Sequence, residues 1–129
     1  MNKIIVEVSV GELLDKISIL EIKKEKIKDA EKLKFINNEH SILKNQLDKN
    51  IKSDEKLNNL YQSLKVINSK LWVIEDDKRQ CEKEKDFGEK FIKLSRDVHF
   101  LNDDRAKIKL EINNHTGSTI KEIKEYTSY

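Results

Sequence analysis

Proline is absent from the 129 residues and glycine occurs only three times, so little in the chain interrupts a helix. A single cysteine, Cys81, excludes an internal disulfide and fits a reducing compartment. Long apolar runs are missing as well. The opening MNKIIVEVS lacks the apolar core of a secretory signal, and no stretch approaches the roughly 20 residues of a membrane span, so a cytoplasmic location is expected, with no membrane partner. Arginine is scarce, three against 23 lysines, beside 16 isoleucines and 11 asparagines. Lys, Ile and Asn share A/T-rich codons, so many lysines report base composition. The three arginines, Arg79, Arg96 and Arg105, are then the better markers of positions that need planar, bidentate geometry. Excess charge of one sign is also lacking: the net is +2, and basic residues do not cluster with aromatics, so no nucleic-acid partner is expected. No glycine-rich phosphate loop is present.

What is present is charge and helical periodicity. Charged residues make up 39% and the apolar set 36%, a balance suited to long helices with one wet face in a single domain spanning residues 1–129. KIIVEV, residues 3–8, alternates weakly and reads as extended. SVGE follows as a capping box, Ser9 to Glu12, opening a helix from Val10 to about Ala30. Leu13, Leu14, Ile17, Leu20 and Ile27 share one face of it while Ile19 and Ile22 point elsewhere, which predicts burial on two sides. A second helix carries Leu33, Ile36, His40, Leu43 and Leu47 at 3,4 spacing, after a bend near Asp29. NIKSDEK is a loop, with Ser53 or Asp54 as the next cap. The third helix, Asp54 to Lys85, steps through Leu57, Leu60, Leu64, Ile67, Leu71 and Ile74, with Lys78 and Cys81 in phase. DFGE predicts another capping box, Asp86 to Glu89, and a fourth helix stopping at Gly117. The pattern predicts an all-α antiparallel bundle of about four long helices, in which the tail STIKEIKEYTSY either adds a helical turn or pairs with residues 3–8 as a short terminal β-pair.

Candidate chemistry sits where charge enters the apolar stripes. In HFLNDDRAKIKLEIN, residues 99–113, Arg105 falls inside the arc of Leu94, Val98, Leu101 and Ile112, with Asn102 at its edge. Glu75 and Arg79 border the stripe of the third helix beside Asn68 and Trp72, and Glu21 lies in the arc of Leu14, Ile17 and Leu20. Two acids against two arginines predict a self-neutralising network, since enclosing an unanswered charge costs several kcal/mol. The alternative is that Arg79 and Arg105 ring a pocket for a carboxylate or phosphate, with the acids orienting them. Arg96, Asp103 and Lys107 share a further stripe, read as a solvated face whose Asp103 and Lys107 form an i,i+4 pair, with Arg96 and Asp103 kept as secondary candidates for ligand contact. His40, His99 and His115 have no metal-ligand spacing, and the acids of IEDD and NDD do not reproduce the motif of all-α nucleotide pyrophosphatases, so neither metal nor cofactor is expected. Cys81 reads as a small hydrophobe. Long continuous stripes favour a covering partner, a second copy or another helical protein, which makes an interaction module the first functional reading, ahead of a small-anion binding protein or enzyme.

The segments VSVGELLDKISILEIKKEKI, LWVIEDDKR and FIKLSRDVHFLNDDRAKIKLEIN, with GS and KEY after them, resemble a family of small helical proteins of unknown function from marine and other bacteria and their phages. The resemblance covers most of the chain, implies a helical fold of bacterial or phage origin, and transfers no catalytic residue. A weaker likeness is to all-α chorismate mutases, whose first helix reads like ELLDKISILE. Those enzymes hold a dicarboxylate with arginines and lysines, whereas the first helix here has Lys16, Lys23 and Lys24 and no arginine.

Overall fold

Each helix begins and ends on a local signal. In the computed structural model, which describes residues 2–129, α1 spans Val10–Lys26, and the Ser9 side chain accepts from the Glu12 backbone N–H as its N-cap. It ends four residues short of the expected Ala30. Residues 27–29 leave helical geometry, and Asp29 accepts from the Lys32 N–H to open α2, Ala30–Asn50. Asp54, rather than Ser53, caps α3, Glu55–Glu84, by accepting from the Leu57 N–H. Lys85 then turns into the left-handed region at φ 55°, closing α3 with its N–H on Glu82. The cap expected at Asp86 forms differently. Gly88 is the N-cap of α4, Glu89–Thr116, without a side-chain bond, and Asp86 accepts from the Gly88 N–H instead. Gly117, at φ 67°, ends α4 as anticipated.

α1 is the hub. Its backbone packs closely against all three other helices, α3 and α4 pair with each other, and the α2 backbone comes close to α1 alone, reaching α3 through side chains at the core. Contacts give the directions. Gly11 meets Asn113 and Asp15 meets Arg105, so α4 runs antiparallel to α1. Asp54 meets His115 and Lys78 lies over Phe91, so α3 and α4 form an antiparallel hairpin. Glu21 faces His40, and Leu47 packs on the core beside Leu14, which sets α2 antiparallel to α1. This is the all-α bundle that the stripes predict.

The core gathers Leu14, Leu57, Leu64 and Ile112, with Val10, Leu47, Ile51 and Ile108 packed against it. Ile17 and Leu20 continue the Leu14 face, and Ile22, which points elsewhere, is buried as well, in keeping with a helix enclosed on more than one face. The 30 residues of α3 span about 45 Å against about 26 Å for the 17 of α1, so the distal hairpin, where Cys81 is buried, runs on past α1. Among the described residues no strand forms. The expected β-pair is absent: residues 2–8 are exposed and form no regular element, Ser9 is buried where it caps α1, and the tail is held on α4 through Glu122 and Tyr129. The start of α1 meets the segment after α4 through a bond from the Val10 N–H to Ser118 Oγ, and Lys109 draws Glu122 back over α4.

Candidate functional site

A buried polar zipper crosses the interface between α1, α3 and α4. On α1, Gly11, Asp15 and Ser18 follow one another at intervals of four and three, which stacks them on one face. On α4, Arg105, Lys109 and Asn113 repeat at intervals of four. The antiparallel crossing brings the two rows together. Asn113 Oδ1 accepts from the Gly11 N–H at 2.7 Å, and Lys109 Nζ donates to Glu12 at 2.7 Å and to Glu122 of the tail at 3.0 Å. Arg105 grips Asp15 with two donors, Nε to Oδ1 at 2.9 Å and Nη2 to Oδ2 at 2.5 Å. Gly11 is what permits the approach, because a Cβ there would stand 2.6 Å from the carbonyl oxygen of Lys109.

Asp15 is 2% exposed. Burial pushes its carboxyl pKa up, but the hydrogen bonds of Arg105 and Asn68 and the charges of Arg105 and Lys109 outweigh that and hold it below the usual value. Asn68, from α3, spends both amide hydrogens inward, on Asp15 Oδ1 at 2.9 Å and Ser18 Oγ at 2.8 Å, while Ser18 donates to the Asp15 carbonyl. The Asp15 bonds that hold the Arg105 guanidinium raise its pKa above the ordinary value.

The expected balance of Glu21 and Glu75 against Arg79 and Arg105 therefore takes another form. Arg105 is enclosed between helices, as its place in the stripe predicts, with 28% of its side chain exposed, but its partner is Asp15. Glu21 instead faces Lys65 at 3.3 Å and His40 at 3.6 Å, close to the enclosed Tyr61 hydroxyl. Burial pushes its pKa up, and the neighbouring Tyr61 hydroxyl, Lys65 ammonium and His40 ring more than reverse this. Asn102 accepts weakly from Arg105 Nη1 at 3.3 Å. Asp103 takes the hydroxyl of Tyr129 rather than Lys107, and Arg96 lies exposed, its guanidinium 5.8 Å from the Phe100 ring centre.

Three of the candidates do converge. Glu75, Arg79 and Arg105 line one cleft of about 350 Å³ near the end of α1. Its walls are Ile19, Ile22, Leu71 and Trp72, its enclosed side holds Asn68, and Glu75, Asp76 and Arg79 stand on its exposed side. The sequence reading missed Asp15, Ser18, Lys109 and Asn113. The signal for them was present: Asp15 and Ser18 border Leu14 on α1, and Lys109 and Asn113 continue the phase of Arg105.

Among the described residues no cluster of His, Cys, Asp and Glu is placed to hold a metal ion, and no helix is long and apolar enough to cross a membrane. Neither a curated protein nor a solved structure matches the chain. A family match does exist, and it extends from residue 4 to residue 129, through all four helices and the tail that Lys109 and Asp103 hold. The chain belongs to this family, the family of unknown function DUF6165.

Proposed function

We propose that this protein is a cytoplasmic, non-enzymatic interaction module that self-associates as a homodimer through its exposed N-terminal segment. One observation carries the reading. Ile4, Ile5 and Val6 stand 88%, 83% and 69% exposed, and no backbone group of residues 2–8 finds a backbone partner among the described residues. Large aliphatics beside unpaired N–H and C=O groups make an open strand edge, which a second strand satisfies by main-chain hydrogen bonding.

The sequence of the segment favours a second copy as that strand. Pairing KIIVEV antiparallel with itself, centred on Ile5, sets Lys3 opposite the partner's Glu7 twice and Ile4 opposite the partner's Val6. Such cross-strand pairs contribute roughly 0.2–1 kcal/mol each. A two-stranded ribbon is marginal alone.

A small-anion site on Arg105 is the weaker reading. The guanidinium already carries a carboxylate in bidentate contact, and Glu75 and Asp76 flank Arg79 in the only cleft that joins two arginines among the pockets described. A lone buried cysteine fits the proposed compartment.

Sedimentation velocity on the full chain tests the proposal. The dimer should weaken at least tenfold in Ile5→Asp, which sets like charges face to face, and in Glu7→Lys alone. Lys3→Glu combined with Glu7→Lys should restore it. A wild-type chain that stays monomeric, or a dimer indifferent to all three changes, overturns the reading. Circular dichroism should be unchanged throughout, since residues 3–7 lie outside the helices.

A further inference from the structure

The cleft between α1 and the α3–α4 hairpin has features that the packing of helices does not require. Asn68 is 95% buried, and its orientation is fixed because both amide hydrogens are committed inward. Its Oδ1 is thereby left without a partner among the described residues, yet it is not sealed away from solvent, and Asn68 lines the cleft. Beside it Arg105 also lines the cleft. Nε and Nη2 are spent on Asp15, while Nη1 has only the 3.3 Å contact to Asn102, which leaves an N–H to give. Both side chains bind the same oxygen of Asp15, so the free acceptor and the free donor belong to adjacent groups.

The remaining surfaces narrow the ligand. Ile19, Ile22 and Leu71 supply apolar walls, and Trp72 adds the indole of the only tryptophan in the chain. Asp15 cancels the charge of Arg105, so Glu75 and Asp76 against Arg79 leave the cleft slightly negative. That disfavours phosphate and free carboxylate and suits a neutral molecule. About 350 Å³ lies at the small end of ligand pockets.

We propose that this cleft binds a small neutral planar heterocycle through a lactam-like edge, its N–H donating to Asn68 Oδ1 and its C=O accepting from Arg105 Nη1, with the ring against the apolar walls beside Trp72. Nucleobases and related cyclic amides present that edge. The zipper holds both recognition groups in place before the ligand arrives, which lowers the ordering cost of binding.

Because Trp72 is the sole tryptophan, its fluorescence reports occupancy directly. Uracil titrated into the full-length protein should change the emission with saturation below about 5 mM, an affinity within reach of so small a ligand. Three companions separate the causes. 1,3-Dimethyluracil, which keeps the ring and loses the N–H, should bind at least tenfold more weakly. Inorganic phosphate should give no response. Ile19→Phe, which fills the cleft from α1, should weaken uracil at least tenfold. If that variant fails to fold, the comparison of uracil with its dimethyl analogue in the wild type still decides. No saturable change with uracil, equal binding of both heterocycles, or a response to phosphate overturns the proposal. The dimer is read by sedimentation and the cleft by fluorescence, so either can fail without the other.

Discussion

Removing the guanidinium of Arg105 should cost more than removing the carboxylate it holds. Asp15 is 2% exposed and its carboxylate accepts three hydrogen bonds, two of them from Arg105. In Arg105→Met the carboxylate keeps Asn68 alone. Stranding a buried charge in this way costs about 3–5 kcal/mol. The carboxyl can escape by taking a proton, but from an ordinary pKa of 3.8 that costs about 4 kcal/mol at pH 7, at 1.36 kcal/mol per unit. The two routes agree. In Asp15→Asn, by contrast, water reaches the guanidinium, whose side chain is 28% exposed, and the amide keeps the shape. That change should cost about 1–3 kcal/mol, the loss of a charge-assisted contact. The double variant should cost less than the two together by about 2 kcal/mol, since the neutral amide no longer needs an answer. Urea unfolding, followed by Trp72 fluorescence and circular dichroism with unchanged m, measures all three.

Acid provides an independent check. The native pKa of Asp15 is depressed, so its contribution is present above the unfolded value and is lost as pH falls through the native one. In Arg105→Met the burial of Asp15 is no longer opposed by the guanidinium and its native pKa rises. The deficit against wild type should therefore shrink as pH falls from 7 toward 4. A deficit that does not change with pH, or an Arg105→Met cost below about 0.5 kcal/mol, the level of a neutral surface change, would refute the buried-pair argument.

Gly11→Ala should destabilise by about 1–2 kcal/mol although alanine is the better helix former, because overpacking against the Lys109 carbonyl outweighs the propensity gain; an increase in Tm contradicts the close α1–α4 approach. Lys85→Gly should stabilise by about 0.5–1 kcal/mol, since the left-handed turn at φ 55° strains any residue with a Cβ, and a loss of stability in thermal melts argues against that turn. Lys109→Met should release the tail by breaking its ion pair with Glu122, so trypsin should cut at Lys121 and Lys124 faster than in wild type; an unchanged cleavage rate means that the tail is held by other contacts, such as Tyr129 on Asp103.

The helices themselves were legible along the chain because their causes are local. Leu57, Leu64 and Ile112 recur in phase, Ser9, Asp29 and Asp54 sit within three residues of the N–H groups they cap, and Gly117 meets a left-handed turn at the place its neighbours require. Asp86 shows the limit of such signals. Its side chain turns to the Gly88 N–H, two residues on, so the helix starts later than the motif suggests. Arg105 could be assigned to the interior from periodicity alone, but its answering charge could not.

Periodicity fixes which side of a helix faces inward and says nothing about which helix it will face, or in which direction. Asp15 and Arg105 are 90 residues apart, and Asn68 lies 53 from Asp15; they meet only because α4 crosses α1 antiparallel while α3 lies alongside. That crossing depends on Gly11 letting two backbones approach, a condition of space rather than of pattern. The chain by itself determined four helices, the cap at Ser9, the stop at Gly117 and a partly enclosed guanidinium. The choice of Asp15 over Glu21 or Glu75, and the cleft left open beside Asn68, was decided by packing, because the desolvation that makes a buried charge demand a partner exists only once the helices have closed around it.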